Sequence, residues 1–153
     1  MPGTVQAVNY DPGGQGVAYN VGTVNGTANS YRPDGVDLKR TTDTGGGYDI
    51  GWTATGQWFN YTVNVATAGT YTVSLRLAAP AAVTDALHIT NGSGINLSGN
   101  VNAPATGGCQ AWTTVTASVT LPVGGQTLTV HQDNAGGFAS SPQGRGGLAL
   151  ASA

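Results

Sequence analysis

Apolar and polar residues alternate with a period of two along most of this chain. In QWFNYTVNV (57–65), Phe59, Tyr61, Val63 and Val65 fall on one side, and Trp58, Asn60, Thr62 and Asn64 on the other. In TYTVSLRLAA (70–79), Tyr71, Val73, Leu75 and Leu77 repeat the pattern, with Thr70, Thr72, Ser74 and Arg76 opposite. Leu128 and Val130 do the same within QTLTVHQ (126–132). Such alternation marks strands with one face buried and one face wet. Shorter strand-like runs occur at 4–10, 36–39, 45–52, 86–90, 94–101, 111–121 and 147–152, separated by turns rich in Gly, Pro and Asn. No segment carries a helical period. The pattern predicts an all-β fold, a two-sheet antiparallel β-sandwich of the jelly-roll kind. No repeat or linker divides the chain, so residues 1–153 are read as one domain. Residues 11–35 show almost no core pattern, and loops of that length are usually functional or mobile. FASSPQGRGG (138–147) is a second irregular stretch.

Charge and composition narrow the chemistry. The net charge is −2 and only 8% of residues are charged, which leaves no basic patch to neutralise a run of phosphates and argues against nucleic acid. No apolar run is long enough to span a membrane as a helix. Seven aspartates and no glutamate are present. The aspartates sit mostly in Gly/Pro turns, where turn chemistry explains them, and no paired carboxylates suit glycoside hydrolysis. G-x-S-x-G and P-loop motifs are absent from the sequence, and an enzyme is not expected. Low charge with many Thr, Asn and Gly is common in secreted bacterial modules, so an extracellular location is expected. MPGTVQ opens directly into a strand-like run with no visible leader. The segment is therefore expected to derive from a longer or processed protein. N-x-[ST] sequons stand at Asn25, Asn60, Asn91 and Asn96.

The residues that break the alternation are more telling. Trp58 shares a polar face with asparagines and threonines. Arg76 similarly shares a face with Thr70, Thr72 and Ser74, and His88 and His131 alternate against apolar neighbours. A polar sheet face carrying an indole, an arginine and histidines resembles a polar binding surface. Indole faces stack on the C–H faces of sugar rings, and nearby amides and hydroxyls bond to sugar hydroxyls. The competing reading is that a loop covers Trp58 and makes it core. Trp52, after GGGYDIG, reads equally as a rim aromatic or a core anchor, and Trp112 reads as core. GGG (45–47) precedes a strand, so it is a turn device rather than a phosphate cradle. Cys109, the one cysteine, lies in TGGCQAW (106–112) without a cysteine-enzyme signature.

Taken in order, TVQAVNYD, SYRPDGVDL, TTDTGGGYDIGWTATGQWFNYTVNV, AGTYTVSLRLA, TGGCQAWTTVTASVTLPVGGQTLTV and NAGGF resemble carbohydrate-binding module family 6, from about residue 4 to 138. The resemblance implies a non-catalytic jelly roll, usually appended to secreted bacterial glycoside hydrolases, that binds β-linked polysaccharides such as β-glucan, xylan or agarose. It implies two sugar sites. At the edge site, one aromatic falls on Trp52, with Thr42 in the adjoining loop. The second aromatic falls on Cys109, and a contributing asparagine falls on Ala139. Only one of those three marks is kept. At the second site, on one sheet face, the aromatic is Trp58 with Thr90 and Gln132 as neighbours, polar but neutral. A structural calcium is also implied near the first strand. Gln6 can supply an oxygen there and Val8 cannot, while calcium needs about six to eight. The expected protein is a monomer that tethers a covalently linked catalytic domain to polysaccharide. The alternative is a divergent spacer or adhesion domain with weak or no glycan binding.

Overall fold

A computed structural model describes residues 3–22, 31–51, 54–134, 139–140 and 148–152, the last two segments as backbone. Twelve strands and no helix occur among them. Two antiparallel sheets pack face to face. The smaller has the order β2 (Tyr19–Asn20), β5 (Trp58–Val65), β10 (Gly124–Gln132), β7 (Val83–Asn91), β8 (Val101–Ala103). The larger is organised around β6 (Gly69–Ala78). Strand β9 (Thr113–Leu121) runs along one flank of β6, and β12 (Leu148–Ser152) and β11 (Ala139–Ser140) along the other. Strand β1 (Gly3–Val5) extends β12, and β4 (Tyr48–Ile50) with β3 (Leu38–Arg40) extends β11. This is the predicted jelly-roll sandwich.

The alternating residues meet between the sheets. Phe59, Tyr61, Val63 and Val65 of β5 face Tyr71, Val73, Leu75 and Leu77 of β6, and all eight are buried. Burying side chains of this size supplies the main favourable term in folding, about 1.5–3 kcal/mol each. With that face fixed inward, the even-numbered residues of β5 must face outward.

Several expected elements differ. The first strand ends at Val5, because the chain turns with Asn9 N–H donating to the Gln6 carbonyl. Residues 94–101 are mainly a loop rather than a strand. The Asn91 side-chain oxygen accepts from the N–H groups of Ser93 and Ile95, and that of Asn96 from Gly99, so side chains there compete successfully with a ladder. The long loop also holds more core than its pattern suggested. Its Tyr19 packs edge-on to Tyr10 at 5.3 Å between ring centroids, and Tyr10 in turn contacts Phe59 at 5.2 Å. Arg32 covers the Tyr10 ring at 3.8 Å and donates to the Tyr10 carbonyl, while the Tyr10 hydroxyl donates to Asp34. Burial and then Asp34 push the Tyr10 pKa upward, so this hydroxyl stays protonated. Gly45, Gly46 and Gly47 have φ of 101°, 69° and 99°, which confirms the turn role of that triplet.

Candidate functional site

The outward face of β5, β10 and β7 forms one surface. Trp58 lies directly across from His131, which lies across from His88. Asn60 pairs with Thr129, which pairs with Thr90. These residues border an open depression of about 250 Å³, lined by Trp58, Asn60, Thr90, Thr129 and His131 from the strands and Asn91, Gly92 and Gly94 from the next turn. Trp58 is half-buried rather than wholly enclosed, and it borders this open depression. Thr90, carried over from the family resemblance, lines this surface beside His131. Gln132 does not. By the same period of two it lies inward with Leu128 and Val130, and it is buried, with its side-chain oxygen lacking a hydrogen bond. His131, one residue earlier, takes the place beside Trp58.

The surface is held stiffly. Asn60 donates to the Val17 carbonyl at 2.9 Å and accepts from the Thr129 hydroxyl at 2.7 Å. Asn20 donates to the Gly56 carbonyl at 3.1 Å. Asp11 accepts both the Thr62 N–H and the Thr62 hydroxyl, at 2.8 and 2.7 Å. Sequence alone missed Asn20 and Asp11, because both belong to a segment without a strand pattern.

The two imidazoles stack at 4.6 Å with their planes 6° apart. His88 Nδ1 lies 2.6 Å from an Asp133 oxygen, and His131 Nε2 lies 3.0 Å from the Thr90 hydroxyl. Burial, and secondarily the His88 charge, push the His131 pKa below its ordinary value, against a smaller opposing pull from Asp133. The folded state therefore resists a proton that the unfolded chain accepts from about pH 6.5 downward. Stability is full above that pH, falls as pH drops below it, and levels off below the folded-state pKa. His131→Gln, which keeps a partner for Thr90, should flatten the fall in melting temperature between about pH 7 and pH 5 relative to the parent. Equal slopes for both proteins would show that His131 does not set this dependence.

The edge region is built differently. Gln110 joins two loops. Its side-chain oxygen accepts the Thr42 N–H at 2.8 Å and its side-chain nitrogen donates to Asp49 at 2.6 Å. Asp49 is fully buried and its pKa is raised, chiefly by that burial. Thr106, at the other end of the loop, bonds to both backbone groups of Ala79. Thr42 and Cys109 are thus brought into one neighbourhood, with Cys109 exposed at the loop tip. Trp52 lies outside the described residues, as does the side chain of Ala139. Arg76 is not part of the Trp58 surface. It belongs to the other sheet and forms a two-bond ion pair with the buried Asp43, at 2.9 and 2.8 Å. Trp112 is half-buried, with its indole nitrogen enclosed and lacking a hydrogen bond.

For calcium, Gln6 is half-buried near the first strand, but Val8 is core. Among the described residues no three His, Cys, Asp or Glu side chains group as a metal site. Of the two side chains the resemblance points to, Gln6 supplies one amide oxygen and Val8 none, where calcium takes about six to eight.

No curated protein matches the chain. Among solved structures, the chain is similar to the carbohydrate-binding module of Cellvibrio mixtus lichenase 5A, solved in complex with cellotriose. Identity is 33%, covering 69% of this chain and 82% of that one, with a TM-score of 0.62. It is also similar to a β-1,3-glucan-binding family 6 module from Bacillus halodurans, at 25% identity over 90% of each chain and a TM-score of 0.65. The C-terminal family 6 module of a Zobellia galactanivorans laminarinase shares the fold at 22% identity, 90% and 92% coverage, and a TM-score of 0.66. The family described as carbohydrate binding module (family 6) matches residues 27–137, most of the chain, and with the sandwich and its polar, aromatic-bearing face, this shows that the chain belongs to that family.

Proposed function

We propose that this chain is a non-catalytic module that holds a β-linked polysaccharide, of β-glucan, xylan or agarose type, against Trp58. The observation that carries this reading is a half-exposed indole in a depression lined by hydroxyls, amides, glycines and imidazole, with no lysine, arginine or carboxylate among the lining residues. That surface suits a neutral sugar, whose ring stacks on the indole while its hydroxyls meet polar edges. Two relatives support it, one solved with cellotriose and one described as binding β-1,3-glucan. The module serves as one domain of an exported protein and tethers a covalently linked glycoside hydrolase. Tethering raises the effective concentration of that enzyme at an insoluble substrate.

Affinity electrophoresis through gels containing laminarin, xylan, agarose or a soluble cellulose derivative tests the function. Retardation on at least one polymer is expected. Unretarded migration on all of them would sink the proposal and favour the spacer or adhesion role.

The edge loop offers a second readout. Cys109 occupies a tip that Gln110 and Thr106 hold in place, so a larger ring there has a firm base. In a Trp58→Ala background, Cys109→Trp is expected to add binding worth one aromatic contact, about 1 kcal/mol or several-fold in affinity. No gain on any polymer would mean that this edge takes no sugar.

A further inference from the structure

Among the described residues strand β9 pairs with β6 alone, and it approaches β8 of the opposite sheet without pairing to it. Its nine residues pair with β6 from Leu121↔Gly69 to Thr113↔Leu77. Among the described residues, no backbone hydrogen bond reaches its other edge. Exposed edges of this length invite pairing with another chain, and proteins commonly guard them with charge, proline or a bulge. TTVTASVTL contains no charged residue and no proline, and its pairing with β6 is unbroken.

The sequence of this edge is close to a palindrome. Around Ala117 the residues read Thr116 and Ser118, then Val115 and Val119, then Thr114 and Thr120. Antiparallel pairing about a two-fold axis sets each of these against its counterpart in a second copy. Hydroxyl residues then meet hydroxyl residues on the outer face, where Thr114, Thr116, Ser118 and Thr120 are exposed. Valines meet valines on the inner face, where Val115 and Ala117 are only half-buried against the core. A centre at Ser118 also sets hydroxyl against hydroxyl and apolar against apolar, but only the centre at Ala117 sets Val115 against Val119.

We propose that two copies of this chain join through β9, about a two-fold axis at Ala117, into one continuous sheet across both sandwiches. This departs from the monomer expected from sequence. It places two Trp58 faces on one assembly, so that two weak sugar contacts act together on one polymer. The proposal does not depend on which sugar is bound.

Sedimentation equilibrium of the full chain from about 5 to about 200 µM is the test, since an edge contact of this size is expected to be weak and concentration-dependent. A reversible monomer–dimer equilibrium is expected. Thr116→Lys combined with Ser118→Lys puts like charges opposite each other twice and should weaken association about tenfold. Thr116→Lys combined with Ser118→Glu makes the same two contacts attractive and should restore it. Both substituted positions face solvent, and an unchanged melting curve at low concentration verifies folding. Retardation of the dilute variants on polysaccharide gels reports the Trp58 site separately. A parent that stays monomeric across the range overturns the proposal. A dimer equally insensitive to both pairs of substitutions overturns it too, since the contact then lies elsewhere.

Discussion

Trp58→Ala is expected to abolish retardation on every polymer that slows the parent. Truncating a central tryptophan at a binding surface typically costs about 2–4 kcal/mol, which corresponds to about 30- to 1,000-fold in affinity. The loss should leave the fold intact. Trp58 stands on the outward face of β5, so the inward row of Phe59, Tyr61, Val63 and Val65 is untouched. Circular dichroism and the melting temperature separate lost binding from lost structure. Trp52→Ala, measured alongside, should change retardation far less. If Trp58→Ala binds like the parent and Trp52→Ala does not, the edge is the working site and the depression is not.

The second large effect concerns stability. Asp43→Ala removes the carboxylate that accepts two hydrogen bonds from Arg76. The Asp43 side chain is almost wholly enclosed, at 3% exposure, whereas Arg76 keeps 22%. Removing one partner of a buried pair costs about 3–5 kcal/mol, because the other charge stays behind without compensation. Partial exposure of Arg76 lets water screen it, so about 2 kcal/mol is the expected loss. Chemical denaturation should show a lower midpoint with an unchanged slope. Arg76→Met together with Asp43→Ala should recover part of the loss, since no orphaned charge remains. A single variant as stable as the parent would show that the pair only positions the loop.

The elements legible in the sequence were those whose length lets a period of two declare itself. Strands β5, β6 and β10 each carry several inward apolar residues, and their faces follow from counting. Strand β2 has two residues, too few for any period, and it was missed. Along β10 the period of two sets His131 outward and Gln132 inward, whereas positional likeness to relatives points to Gln132. The two differ because a shift of one residue along a strand moves a side chain to the opposite face. The link from Thr42 through Gln110 to Asp49 spans 68 and 61 residues of chain. Neither composition nor periodicity carries information about such a contact. The Arg76–Asp43 pair is hidden for the same reason, and the polar face of β6 that reads as a binding surface in sequence carries an arginine anchored to Asp43.

Asn20 and Asn60 spend their amide nitrogens on the carbonyls of Gly56 and Val17, and Thr62 is locked by Asp11. The rotamer freedom of these side chains is therefore lost when the protein folds, not when a ligand arrives. A disordered surface of the same composition would surrender about 0.5–1.5 kcal/mol for each such side chain on binding. Affinity thus becomes partly a property of residues that no sugar touches. A change in the backbone near Val17 or Gly56 would loosen the ligand by returning entropy to the unbound state, with every direct contact still available.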